Sequence, residues 1–466
     1  MNPDDFLNHA SSAVAIGARY RAGLRDRPVR PNLKPGEIAA RLGAAAPEAP
    51  EPMETILSDF ERDVLPGMTH WQHPRFFAYF PANAAPASVV AEILVSTVAA
   101  QCMLWQTSPA ATEMETVVLG WLRDALGLPA GFSGVIQDSA SSATLAALLV
   151  MRERALGFTG NRAGLAGGPV VRVYASSEVH SSIDKAAWIS GIGQDNLVKI
   201  PAGGPLRGID VDRLEAAIVA DRAAGLRPAG IVACVGGTSV GACDDVAAVA
   251  AVARRHGLML HVDAAWAGSA MICPEYRPLW AGVEEADSVV MNPHKWLGAQ
   301  FDCAAHFVRD PEQLVRTLGI HPEYLRTHGR GGFVNYSEWS VPLGRRFRAL
   351  KLWFLLRAYG LSGLRRMIRD HVAWSTALCE RLRALPAVEI VTEPVLSLFS
   401  FRPRSGGDAR TLAVLEAIND DGRIYLTQTN VDGRIAIRFQ VGAFEATAAD
   451  VDTAFEVIRD FVTRDG

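Results

Sequence analysis

An α/β fold built on a mostly parallel, doubly wound sheet is what this 466-residue sequence predicts, and three observations point to it. Short β-rich runs at 134–137, 170–174, 230–235, 258–262 and 288–291 alternate with helical stretches; buried strands alternating with helices make a sheet of this class. The helices carry their own punctuation. Asp244 or Asp245 is placed to cap residues 246–256, and Gly257 stops them. The third observation is positional: Asp263, Asn292 and Lys295 each fall just past the end of a run, where open parallel sheets bind ligands.

Residues 1–25 read as an amphipathic helix with Phe6, Ala10, Val14 and Tyr20 near one face. Pro28, Pro31 and Pro35 then impose an extended arm, and a second helix is expected over 51–64. This segment, 1–85, is too thin to form its own core and is expected to pack on another surface, that of a partner subunit. The longest apolar stretch, 87–105, is broken by Glu92 and Gln101, which suits a buried helix better than a membrane span. A strand at 134–137 leads into a helix over 141–154, and the alternation continues to 291. Residues 318–339 are rich in Gly, His and Arg without periodicity; such a stretch inside a domain is often a lid. After a helix over 345–359, Gly360 and Gly363 mark a change. A helical region (364–385), β-like runs at 397–401 and 434–439, and a helix from Ala448 make a small α+β domain. The expected organisation is therefore an N-terminal arm (1–85), a large ligand-binding domain (86–360) and a small domain (361–466).

Composition narrows the function. An apolar fraction of 49% and a charged fraction of 21% are those of a soluble globular chain. A net charge of −4 and a pI near 6.3 argue against nucleic acid as the main partner. The acidic start lacks the order of a signal peptide. The six cysteines are scattered with no Cys-x-x-Cys pair, which reads as reduced thiols of a cytoplasmic protein, with neither a disulfide frame nor a metal site.

Lysine usage carries the chemistry. Only Lys34, Lys185, Lys199, Lys295 and Lys351 stand among 46 basic residues, and Lys295 lies in the apolar, aromatic run Asn292-Pro293-His294-Lys295-Trp296-Leu297. A partly desolvated amine has a lowered pKa and attacks aldehydes. Asp263, 32 residues upstream, closes a strand. A lysine for an aldehyde and an aspartate for a pyridinium nitrogen suit pyridoxal 5'-phosphate (PLP). The plain alternatives are a lysine snorkelling from a loop and a salt-bridged structural aspartate.

At this point the chain resembles the group II aromatic-L-amino-acid decarboxylases. The likeness rests on Asn292-Pro293-His294-Lys295-Trp296-Leu297, His261-Val262-Asp263-Ala264-Ala265, Ile272-Cys273-Pro274-Glu275 and Pro342-Leu343-Gly344-Arg345-Arg346-Phe347-Arg348. It also rests on His70-Trp71, His73-Pro74 and Phe76-Phe77-Ala78-Tyr79-Phe80-Pro81. The resemblance implies the fold-type-I PLP-dependent transferase architecture, a homodimer with its arm wrapped around the partner, and an amino-acid substrate. It implies phosphate contacts through Ala140, Ser141 and Asn292 with His294 nearby, where a serine N-cap is the simpler reading. It further implies His180 stacked on the ring, Thr238 beside it, Ala265 beneath it, and Tyr324 as proton donor to the substrate carbon. Loop polarity would explain His180 and Thr238, and loop packing Tyr324, without any such role. Trp71, Tyr79 and Phe80 match pocket residues of the family. Ala82 replaces the threonine of animal relatives, Met103 replaces a phenylalanine, and Gly344 matches the small residue of indole-accepting plant relatives. A tryptophan- or phenylalanine-type substrate is therefore expected ahead of tyrosine or DOPA. The alternatives are an aromatic acetaldehyde synthase, whose relatives carry phenylalanine at the Tyr324 position, a decarboxylase of another amino acid, and a silent PLP-binding protein. The chain departs from the family at Asp138 and Ser142, where glycine and glutamate are usual. A carboxylate beside a phosphate is unfavourable, so Asp138 is expected to point away or to find a cation. Arg438, alternating out of an apolar strand, is left outside the site.

Overall fold

The computed structural model describes residues 1–320 and 334–464. It divides into two compact units, Ala82–Ala373, and Met1–Pro81 together with Trp374–Gly466.

The unit Ala82–Ala373 holds a seven-stranded sheet of β1 (Ser133–Gln137), β2 (Val171–Ser176), β3 (Leu197–Ile200), β4 (Arg227–Cys234), β5 (Met259–Asp263), β6 (Ser288–Met291) and β7 (Ala304–Val308). Their order is β1-β7-β6-β5-β4-β2-β3. Only β7 runs antiparallel, to β1 on one side and β6 on the other. The remaining strands share one direction, so the carboxyl ends of β1, β2, β4, β5 and β6 line one edge. Strands β4 to β7 are buried along almost their whole length, as expected of a sheet covered on both faces. The helix Ala140–Ala155 buries Ala143, Ala146, Ala147, Val150 and Met151, and Gly230 on β4 makes room for Met151, which an added Cβ would meet at 2.5 Å. Strands β3 and β7 were not expected from the sequence: β3 is four residues long, and β7 interrupts its apolar run with His306.

The helix Pro86–Val98 answers to the apolar stretch, but within the single chain only Ser88, Ala91 and Val95 are buried. Val90, Ile93, Leu94 and Val98 face solvent. The helical stretch Arg348–Arg383 is broken at Gly360, whose φ of 63° and ψ of 164° lie outside helical space.

In the other unit, β8 (Val388–Val395), β9 (Leu398–Pro403), β10 (Thr427–Val431) and β11 (Arg434–Gln440) form an antiparallel sheet in the order β8-β9-β11-β10. The helices Gly407–Asp421 and Ala448–Thr463 and the residue Phe77 pack with it around Phe399, Phe401 and Phe439. The first helix spans Pro3–Ala22 and is capped by Asn2, which accepts from Asp5 N. It buries Ile16; of the face expected to be apolar, Ala10 and Tyr20 are half-buried while Phe6 and Val14 stay exposed in the single chain.

Candidate active site

Five loops meet at the carboxyl edge of the parallel strands. The first follows β1. Ser139 caps the helix Ala140–Ala155, its Oγ accepting from Ser142 N at 3.2 Å. The main-chain N–H groups of Ala140 and Ser141 have no acceptor among the described residues, so two donors at the positive end of a 16-residue helix remain for an anion. Asp138 Oδ1 accepts from Ser139 Oγ at 3.1 Å. Its charge also reaches Arg348: burial opposes that guanidinium, whereas the Asp302 contact at 2.8 Å and the Asp138 carboxylate favour it, and the net pKa is raised. Asp138 has thus found a hydroxyl partner and lies in the field of a cation.

The loops after β5 and β6 interlock. Asn292 N donates to Ala265 O (2.9 Å), and Ala264 N donates to Val290 O (3.0 Å). Ala265 packs against Ala140, Ala143 and Val290, which brings it beside the helix terminus. Asp263, 7% exposed, accepts from Ala265 N through Oδ1 at 3.0 Å. Its other oxygen has no hydrogen-bond donor among the described residues. Asn292 Oδ1 is buried without a hydrogen-bond partner among the described residues.

His294 is buried, and its Nδ1 accepts from Cys303 N at 2.9 Å. Nε2 therefore carries the proton and is a donor. Burial and the Lys295 charge hold the ring neutral, its pKa lowered to about 3. Lys295 sits half-buried on the turn Pro293–Leu297, followed by Trp296, which stacks on Trp266 at 5.1 Å and donates to His371 at 2.9 Å.

His180 follows β2. Ser182 N donates to its Nδ1 at 3.1 Å, so its proton too lies on Nε2. Burial and the Lys295 charge lower its pKa, while Asp263 and Asp184 act in the opposite sense. Lys295 and Asp263 are therefore each within electrostatic reach of His180. Thr238, half-buried, lies past β4 in a loop that abuts the His180 loop, because a Cβ on Gly237 would sit 3.1 Å from Glu178 O.

One contributor escaped the sequence reading. Asn83 is buried; its Nδ2 donates to Lys295 O (2.6 Å) and its main-chain N to His294 O (2.9 Å). An amide inside the small, apolar run from Pro81 to Pro86 was the available signal.

The residues named for the substrate fall in both units. Ala82, Met103 and Gly344 belong to Ala82–Ala373. Gly344 and Gln101 line a cavity of about 430 Å3, and a Cβ on Gly344 would meet Gln101 Nε2 at 3.2 Å. Ser337 N donates to Met103 O at 3.0 Å. A buried ion pair holds this wall. Arg345 contacts Glu115 at 2.6 Å and donates to Cys102 O and Ile136 O. In the other unit Trp71 stacks on Tyr79 at 5.7 Å, both exposed. Phe80 is buried 5.1 Å from the Arg438 guanidinium, which donates to Tyr79 O. Tyr324 and the stretch 321–333 of the expected lid lie outside the described residues.

A phosphorylated pyridine aldehyde fits this edge. Two unused N–H groups and an Nε2–H imidazole suit a phosphate, a half-engaged carboxylate suits a ring N–H, and a lysine suits an aldehyde. Among the described residues no set of three His, Cys, Asp or Glu side chains could hold a metal ion, and no helix is long and apolar enough to cross a membrane.

Comparison with known proteins agrees with that chemistry. The family model "pyridoxal-dependent decarboxylase conserved domain" matches residues 35–404. Aromatic-L-amino-acid decarboxylase of Sus scrofa is 39% identical, over 98% of this chain and 96% of its own. The crystal structure of Oryza sativa tryptophan decarboxylase with PLP and tryptamine superposes with a TM-score of 0.96 at 38% identity, covering 99% of this chain and 98% of the other. Rhodiola rosea 4-hydroxyphenylacetaldehyde synthase does so with a TM-score of 0.91 at 33% identity, covering 99% and 98%.

Proposed function

This chain belongs to the pyridoxal-dependent decarboxylases, as a PLP-dependent amino-acid decarboxylase of fold type I, and from that premise we propose that it converts an aromatic L-amino acid to its arylalkylamine and carbon dioxide. The observation that carries the reading is the meeting of Lys295, Asp263, His180 and the open helix terminus at one sheet edge. The Lys295 amine would hold the aldehyde. Asp263 would keep the ring nitrogen protonated through its unengaged oxygen. Ala140, Ser141, Asn292 and His294 would hold the phosphate, with Thr238 and Ala265 flanking the ring. When bound, PLP supplies an electron sink for the pair released from the Cα–carboxylate bond. His180 offers its Nε2–H to the substrate carboxylate before cleavage. Either that group or the Tyr324 hydroxyl returns a proton to Cα. Lys295 then takes back its place and the amine leaves. Burial of the site would exclude water and strengthen each of these electrostatic contacts.

The exposed Trp71–Tyr79 stack offers a flat aromatic surface, and Gly344 leaves space beside Gln101. We place tryptophan- and phenylalanine-type substrates first. Ala82 offers no hydroxyl to a ring hydroxyl, which removes about 0.5–1.5 kcal/mol of preference for tyrosine and DOPA. A panel of L-amino acids with amine detection by mass spectrometry tests both levels. Amine from none of them sinks the reading, whereas a lead for DOPA overturns only the pocket argument.

Aldehyde formation is the second reading, because a synthase is among the similar structures; peroxide and ammonia assays separate the two. A homodimer is also proposed, since Val90, Ile93, Leu94 and Val98 form an uncovered apolar helix face. Light scattering at the monomer mass would refute it.

A further inference from the structure

Four polar side chains lie in the interior next to the proposed site and take no part in it. Thr144 is on the helix Ala140–Ala155, His261 on β5, Ser288 on β6 and His306 on β7, and each is 0% exposed. Thr144 Oγ1 lies 3.4 Å from His261 Nε2. His261 Nδ1 lies 2.8 Å from Ser288 Oγ, and Ser288 Oγ lies 2.7 Å from His306 Nε2. The register explains the line: His261 stands opposite Ser288, and His306 is two residues from the partner of Ser288 on the same face. The chain ends abruptly, because His306 Nδ1 is buried and has no hydrogen-bond partner among the described residues.

Proton counting shows what is missing. Ser288 has one hydroxyl proton and two ring nitrogens to serve. If it donates to His261, His306 must donate from Nε2, and its Nδ1 is a bare acceptor. If it donates to His306, the proton of that ring moves to Nδ1, which then needs an acceptor. Either arrangement leaves a buried polar atom unsatisfied, at a cost of about 1–3 kcal/mol. His306 also lines a cavity of about 10 Å3, together with Asp287, Asp310, Gln313, Ala147 and Met259. That is room for the centre of one water and nothing larger.

We propose that one water molecule is bound in this cavity, hydrogen-bonded to His306 Nδ1, and completes a chain from Thr144 through His261, Ser288 and His306. Water fits because it donates or accepts equally well and so satisfies both proton arrangements. A cation fits less well. Asp287 already accepts from Leu260 N (2.8 Å) and faces Arg154 (3.7 Å), and Asp310 accepts from Glu312 N (3.2 Å) and Gln313 Nε2 (2.9 Å). The completed chain ties β5, β6 and β7 to the helix Ala140–Ala155. These are the elements that present Asp263, Asn292 and the phosphate-facing N–H groups. The water is thereby a fixed part of the scaffold, and the four polar side chains that it anchors act as positioning residues.

An atomic-resolution crystal structure of the holoenzyme is the direct test. The expected result is one density peak about 2.7–3.1 Å from His306 Nδ1 with two to four polar neighbours. An empty cavity overturns the proposal. So does a carboxylate of Asp287 or Asp310 bonded directly to Nδ1, or a peak whose coordination and anomalous signal mark a cation. His306→Met should abolish the peak while the neighbouring backbone stays in place; persistence of the peak would show that Nδ1 does not hold it. If that variant does not fold, imidazole 15N shifts of the wild-type enzyme decide instead. A neutral His306 whose signals show cross-relaxation to water supports the site, and absence of any water contact refutes it.

Discussion

Lowering the pH should unfold this protein well before its carboxylates are neutralised. Five of the six buried described histidines are strongly shifted and held neutral: burial lowers His73 and His306 to about 4 and His261, His294 and His371 to about 3. Each returns to about 6.5 when the chain unfolds. A group whose folded pKa is depressed gives stability that is complete above its unfolded pKa and is lost as pH falls toward the folded value. Between pH 7.5 and 5.5 each histidine therefore costs about 1.4 kcal/mol, and the five together about 7 kcal/mol. Asp244 acts in the opposite sense. Burial raises its carboxyl to about 6, so it binds a proton more readily when folded and returns about 1 kcal/mol over the same window. The net loss of about 6 kcal/mol is a large share of the 5–15 kcal/mol that a folded protein has. His70 and His180 are shifted in the same direction as the five. Thermal and urea unfolding at constant ionic strength, stepped from pH 7.5 to 5.5, reads this directly, and the slope should average about two protons taken up on unfolding and steepen to about four at pH 5.5. His306→Met should lower that uptake by one. A midpoint that stays level across the window would refute the reasoning.

Three further outcomes are expected. Lys295→Ala should lose turnover and the borohydride-trapped cofactor adduct seen by intact mass; an adduct that persists would place the covalent link elsewhere. Arg345→Met strands the Glu115 carboxylate in the interior, and breaking such a buried pair costs about 3–5 kcal/mol; adding Glu115→Leu should recover part of that loss in a double-mutant cycle, and additive losses would argue against the pair. Tyr324→Phe should divert product from amine toward aldehyde, ammonia and peroxide, and unchanged amine output would remove Tyr324 from proton delivery.

The parallel sheet and its punctuation were legible because a buried strand is a short apolar run and a helix cap is a local signal. Val246–His256, bounded by Asp245 and Gly257, appears as the sequence predicts. The strands that went unseen are those whose placement depends on distant partners. Leu197–Ile200 is too short to show a period, and Ala304–Val308 owes its antiparallel place to pairing with β1 and β6. Solvent-facing apolar residues on Pro86–Val98 show the limit of reading hydropathy as burial within one chain. In the site, Asp263, Asn292 and Lys295 stood out because strand ends and a scarce residue type mark them. Asn83 did not, because its role is a hydrogen bond to the main chain of a residue more than 200 positions away. The His261–Ser288–His306 line was equally hidden: it exists only once three strands lie in register.

The single antiparallel strand also has a consequence for how the chain is made. β1 carries the turn that leads to Asp138 and the helix terminus, yet its described neighbour in the sheet is β7, with Ser133 opposite Val308. Roughly 170 residues must leave the ribosome between the two, which takes about 8–34 s at common synthesis rates. Throughout that interval the apolar edge of β1 waits unpaired, and an exposed strand edge invites pairing with other chains. A cofactor that needs the finished sheet edge would therefore bind late, on chains that have already closed β7 into the sheet.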